Sequence, residues 1–237
     1  MADATADTSK AGMGDLAEIF YAPSAVFARR TDGKFGMPYL ALIVLGTILY
    51  FAMKGLIQPV IDAEITRQMA KAAAKRTMTP EAQASAASAM KVLGSFGVIM
   101  LYLTGPLLIG LFTWIVGKIA KVRAIGTVAM MVATFSFYPR LIGSILGAVL
   151  AAMVPDGATA TAANISLSPA RFVDIAASPL LGAIAGRLDL FIIWGMVLIA
   201  IGVRVAGKAS SKQAWGTAIG VWTIPTLFAI WGAIRNG

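Results

Sequence analysis

The stretch MPYLALIVLGTILYFAMKGLIQPVIDAEITRQMAKAAAKR, Met37 to Arg76, decides the fold. Its first part, to about Val60, is mostly apolar and carries a single charge, Lys54. A helix that crosses the hydrocarbon core needs about 20 such residues, so this is a membrane span. From Asp62 the chain turns to Ala, Lys, Arg, Gln and Glu, which are strong helix formers. No Gly or Pro stops it there, so one helix is expected to leave the membrane and continue beyond it. Thr79-Pro80-Glu81 then reads as a restart. Thr79 suits an N-cap, Pro80 the first helical position and Glu81 the positive helix end. Residues 61–91 are therefore expected to form an extracytoplasmic helical hairpin that returns to the membrane through AQASAASAMK.

Outward from that stretch, four more apolar runs follow, at about 92–116, 125–153, 188–205 and 214–234. Over all 237 residues, 58% are hydrophobic and 13% charged, against about 45–50% and about 25% in soluble domains. The mean hydropathy is +0.80. The expected fold is an all-α integral membrane protein: a five-helix bundle with kinked helices, one domain over 15–237 behind a disordered cytoplasmic tail, 1–14. That tail, MADATADTSKAGMG, has neither a basic start nor an apolar core, so it is not expected to be a signal peptide.

The chain has no Cys and no His. This excludes disulfides, thiolate or imidazole metal sites, Cys nucleophiles and Ser-His-Asp triads. No enzyme chemistry, cofactor or metal is expected. A net charge of +9 with a pI near 10.0 would suggest nucleic acid in a soluble protein. Here no basic stretch forms a soluble module, and the cations flank spans, where they set orientation and meet anionic headgroups. Lys118, Lys121 and Arg123 lie in the second connection, and Arg204, Lys208 and Lys212 in the fourth. Lys10, Arg29, Arg30 and Lys34 share their side. The third connection carries Arg171 with Asp156 and Asp174. The amino terminus is thus expected in the cytoplasm and the carboxyl terminus outside. The first connection, with Arg67, Lys71, Lys75, Arg76 and Lys91, dissents, but charge in long links counts for less. Ahead of the first span, Leu16, Ile19, Phe20, Val26 and Phe27 suit helices lying along the interface, broken at Pro23.

Charges inside spans are costly and mark functional candidates. Four qualify: Lys54, Arg140, Arg187 and Asp189. Pro38 to Lys54 and Ala124 to Arg140 are equal steps, about 24 Å each along a helix. Asp189 lies about 6 Å below the opposite boundary near Ala185. Lys54, Arg140 and Asp189 therefore come to a common depth and are expected to form an ion cluster: a structural lock or cations snorkelling to the outer headgroups, or else an anion, lipid-headgroup or proton-linked site opening outward. Pro106, Pro139 and Pro225 interrupt three spans and are expected to kink them. Gly143, Gly147, Gly182, Gly186, Gly216 and Gly220 sit in small-xxx-small pairs suited to close packing.

LDLFIIWGMVLIAIGV, Leu188 to Val203, resembles the signature span of the Yip domain family of five-span membrane proteins; Asp189, Phe191, Trp194 and Gly202 fit its order. TVAMMVATFSFYPRLIGSI resembles the family's third span, with Tyr138-Pro139 as its aromatic-Pro element, and IFYAPSAVF its amino-terminal element. The resemblance covers about Asp15 to Ile234 and implies five spans with a cytoplasmic amino terminus. Eukaryotic members are linked to Rab GTPases and vesicle traffic. This chain lacks their long amino-terminal region and is more similar to the bacterial branch, placed in the inner membrane. Rab binding is not carried over.

Two functions from different classes follow. One is a non-enzymatic scaffold or adaptor that binds another membrane protein, or itself, or organises membrane lipids. The other is a small-solute or ion transporter or channel component that uses the charged cluster Lys54, Arg140 and Asp189.

Overall fold

The computed structural model describes residues 12–75, 79–154 and 161–236. The tail expected at 1–14 falls almost wholly outside them, as does the tip between the hairpin arms. Among the described residues there are nine α-helices: α1 Gly14–Glu18, α2 Pro23–Arg29, α3 Gly36–Lys75, α4 Pro80–Ile119, α5 Val128–Ser136, α6 Pro139–Met153, α7 Pro179–Gly186, α8 Leu190–Val205 and α9 Ser211–Asn236. A short 3₁₀ turn, Pro169–Phe172, precedes α7.

Four helices are long and apolar enough to cross a membrane, and a fifth span is counted if α7 and α8, bent by 47°, are one. α5 and α6 together make the third crossing. α3 and α4 each run 40 residues, about 60 Å and twice the thickness of a bilayer core. Their lower halves are apolar and their upper halves carry the charged and Ala-rich sequence. The restart is built as its residues dictate: Thr79 Oγ1 accepts from Ala82 N at 3.3 Å and Pro80 opens the helix. Between the arms, Lys91 Nζ lies 2.9 Å from Asp62 Oδ1.

The prolines act in two ways. Pro106 and Pro225 lie inside continuous helices, as does Pro59 in α3. Pro139 instead opens α6, after a turn at Phe137 and Tyr138. It needs no hydrogen bond at that first position. The Tyr138 hydroxyl donates to the Pro38 carbonyl at 2.7 Å, and its ring stacks on Phe135 with centroids 5.6 Å apart. Tyr138→Phe keeps the stack and loses one buried hydrogen bond. A loss of about 1 kcal/mol is expected, read as a lower melting temperature in detergent.

The segment expected along the headgroups is instead packed into protein. Ile19, Val26 and Phe27 are fully buried, α2 lies against α8, and Phe20 meets Trp194 edge-on at 5.7 Å. An apolar helix face suits lipid or protein equally, so its pattern does not distinguish them. The polar side distinguishes them. The Asp15 carboxylate is 1% exposed, with Arg29 Nη2 and Arg30 Nε each 2.6 Å away. Glu18 also meets Arg29, and these two carboxylates, Glu18 first, push the Arg29 guanidinium above its ordinary range. The main core lies where α2, α5 and α8 converge, around Phe27, Phe135, Met131 and Leu198, with Ala218 and Val221 of α9 closing one side.

Candidate functional site

Close contacts set the levels of the intramembrane charges. A Cβ on Gly33 would lie 2.4 Å from Thr127 Oγ1, so these residues stand at one level. Gly46 and Arg140 are equally far along the chain from that contact. Farther up, a Cβ on Gly46 would meet the Tyr102 ring at 2.6 Å. The Tyr102 hydroxyl is 3.1 Å from Ser144 Oγ, which donates to the Arg140 carbonyl one turn below. Lys54 lies two turns beyond Gly46, on the order of 12 Å farther along the bundle than Arg140. Pro38 and Ala124 are therefore not level, and equal steps from them do not bring Lys54 and Arg140 to one depth.

Arg140 and Asp189 share a chamber of about 600 Å³ between α3, α4, α6 and the connection before α7. Lys54 does not line it. The chamber has two characters. Leu49, Met53, Ile57, Val98 and Leu101 make an apolar part, and Arg140, Asp189, Tyr102, Ser144 and Ser166 supply the polar groups. Its volume falls within the roughly 300–1,000 Å³ typical of small-molecule sites.

Arg140 and Asp189 are not an ion pair, and among the described residues neither forms one. Asp189 is the N-cap of α8: Oδ1 accepts from Phe191 N at 2.9 Å and Oδ2 from Leu167 N at 3.1 Å. The carboxylate thus fastens the third connection to the start of α8. An Asp directly ahead of an apolar helical run is an N-cap signal; reading Asp189 as a charge already within the span hides it. The Arg140 guanidinium lies over the Phe137 ring at 5.0 Å. Arg187 donates from Nε to Thr226 Oγ1 at 3.1 Å, while its carbonyl accepts from Trp222 Nε1 at 3.2 Å. Both arginines line a second, smaller cavity of about 50 Å³ that shares Phe191 and Ile192 with the chamber.

These roles make a distinct prediction. Asp189→Ala removes the cap and is expected to cost about 1 kcal/mol, whereas Asp189→Asn, also a good cap, restores most of it. Exchanging Arg140 and Asp189 gives no rescue, because Arg cannot accept the two backbone N–H bonds. Recovered stability in the exchanged protein, measured by thermal unfolding in detergent, would show a pairing role instead.

The signature residues cluster at the same junction. A Cβ on Gly143 would reach the Phe191 ring at 2.7 Å, and Phe191 stacks on Trp194 at 6.4 Å. Gly202 brings α8 against Val132 and Phe27. Of the other small pairs, Gly182 faces Ile175 and Gly220 faces Val116, while Gly216 faces open space. Close approach within one chain accounts for most of them.

Long apolar helices threaded antiparallel, with charged arms at one end, define a multi-pass helical membrane protein. The Yip1 domain family model matches residues 17–233, nearly the whole chain. The chain belongs to the Yip1 domain family. No curated protein and no solved structure matches it.

Proposed function

We propose that the protein is a non-enzymatic organiser of the membrane that seats a lipid-like molecule in the chamber between its spans. The observation that carries this reading is the division of that chamber, about 600 Å³, into an apolar part and a polar part. An amphiphile matches both at once, whereas a small hydrophilic solute would leave the apolar walls wet. The basic connections favour an amino terminus in the cytoplasm, a carboxyl terminus outside and a hairpin that projects outward, in a bacterial inner membrane. The arms of α3 and α4 then give an adaptor surface for another membrane protein or a second copy. The transport reading is favoured by one observation: Arg140 and Asp189 face one chamber without pairing.

The test is native mass spectrometry after extraction in mild detergent. The wild-type protein is expected to carry an adduct of lipid mass, and Ser144→Phe, which fills the chamber, is expected to lose it. A protein that folds normally and carries no lipid, even when lipid is added back, overturns the reading. Anion uptake into proteoliposomes, abolished by the same filling variant, would establish transport in its place.

A further inference from the structure

We propose that Arg140 and Arg187 together form a binding site for a phosphate-type anion, at the polar wall between the chamber and the smaller cavity. The site rests on the chamber reading and names the chemistry at the ligand's charged end.

The charge balance within the bundle carries the proposal. Both arginines line the cavity of about 50 Å³. Among the described residues, neither is in an ion pair. Arg140 has only the Phe137 ring beneath it, and Arg187 uses Nε alone, on Thr226. The carboxylate near enough to oppose them is Asp189, and its two oxygens are held by backbone N–H groups. Two cations therefore face one cavity at membrane depth with at most one occupied carboxylate nearby. Uncompensated charge is costly in such surroundings. A bound anion removes that cost and satisfies the free guanidinium donors.

The donor set selects the kind of anion. Guanidinium is planar, and its N–H groups match phosphate oxygens in pairs. Arg140, packed over Phe137, lines both the chamber and the small cavity, so one guanidinium serves the wall between them. Tyr102 and Ser144, hydrogen-bonded to one another, border the chamber beside Arg140 with their protons already committed, so the arginines supply the anion's donors. A phosphate attached to acyl chains would place its oxygens at the arginines and its chains along Leu49, Met53 and Leu101. Free phosphate offers the same oxygens without the chains.

The experiment uses the full-length protein in detergent with three probes: phosphatidic acid, diacylglycerol with the same chains, and inorganic phosphate. Binding is followed by native mass spectrometry and by thermal stabilisation. Phosphatidic acid is expected to bind at least about tenfold more tightly than diacylglycerol, and Arg140→Gln to remove at least about tenfold of that affinity. Arg140→Lys, which keeps charge but loses the fork, is expected to fall between. Arg187→Gln is expected to match Arg140→Gln; if it misfolds, Thr226→Val, which frees Arg187 Nε and leaves its charge in place, is expected to retain phosphatidic acid binding. Inorganic phosphate bound as tightly as phosphatidic acid, and unaffected by Ser144→Phe, supports the site and assigns it to the free ion. Equal binding of phosphatidic acid and diacylglycerol, or unchanged affinity in Arg140→Gln, overturns the anion site while leaving the chamber reading intact. Failure of both lipids to bind, with no binding of phosphate, overturns both.

Discussion

Asp15→Ala is expected to lower the melting temperature of the detergent-solubilised protein by on the order of 10 °C. Asp15 is 1% exposed and takes Arg29 on one oxygen and Arg30 on the other. Removing one partner of a buried ion pair costs about 3–5 kcal/mol, because the remaining charge keeps its desolvation without its counter-charge. Here the arginines differ: the Arg29 side chain is 40% exposed and the Arg30 side chain 12%. Arg29 keeps water and Glu18, so its share of the loss is small. Arg30 carries most of it, since its guanidinium also lies over the Phe135 ring at 5.2 Å and cannot leave without disturbing the core. The low end, about 3 kcal/mol, is therefore expected; for a chain of this length it amounts to a shift of roughly 10 °C. Glu18→Ala, on the exposed side of the same cluster, is expected to change stability by under about 1 kcal/mol. Similar effects from both substitutions would show that the network is a surface one.

Gly202→Leu is expected to prevent normal folding or cost more than about 3 kcal/mol. A Cβ alone at this position would stand 2.6 and 2.8 Å from the two Val132 methyls and 3.1 Å from the tip of Phe27. Val132 and Phe27 are fully buried, so neither has room to withdraw. Overpacking typically costs about 1–3 kcal/mol, and leucine adds three further carbons at a point where α8, α5 and α2 meet. Gly202→Ala separates the opposing effects. Helix propensity favours Ala by about 0.5–1 kcal/mol, but the contact exceeds that gain, so a net loss of about 1 kcal/mol is expected. Gly94, in the middle of α4, has nothing near a Cβ. Gly94→Ala should therefore raise stability by about 0.5–1 kcal/mol. Thermal unfolding of the three variants tests the order; an Ala at 202 as favourable as an Ala at 94 would sink the packing account.

The spans were legible because lipid imposes a length and a polarity that composition reports directly. The restart at Thr79-Pro80-Glu81 was legible because its signals act within one turn. What escaped reading depends on three-dimensional neighbours. Ile19, Val26 and Phe27 form an apolar face whether a membrane or α8 covers it. The turn at Phe137-Tyr138 precedes Pro139, and the missing N–H of Pro139 is equally compatible with a kink or a helix start. Depth along a span cannot be counted from a presumed boundary when the helices begin at different heights, which is why Lys54 stands apart from Arg140. Asp189 reads from the sequence as a costly charge in an apolar region, whereas its hydrogen bonds go to backbone N–H groups. Arg187 lines one cavity with Arg140, and no spacing rule relates the two.

The length of α3 and α4 has a mechanical side. Each is a continuous helix that lines the chamber near its middle, through Tyr50 and Met53 or Tyr102 and Val98, and runs on beyond it as an arm of the hairpin. The Asp62–Lys91 pair ties the two helices where they leave the chamber, just past Pro59. Wall and arm thus share one backbone on each side, so a change in the spacing of the walls is expected to change the spacing of the arms, read as the distance between labels placed on the two arms with and without added lipid.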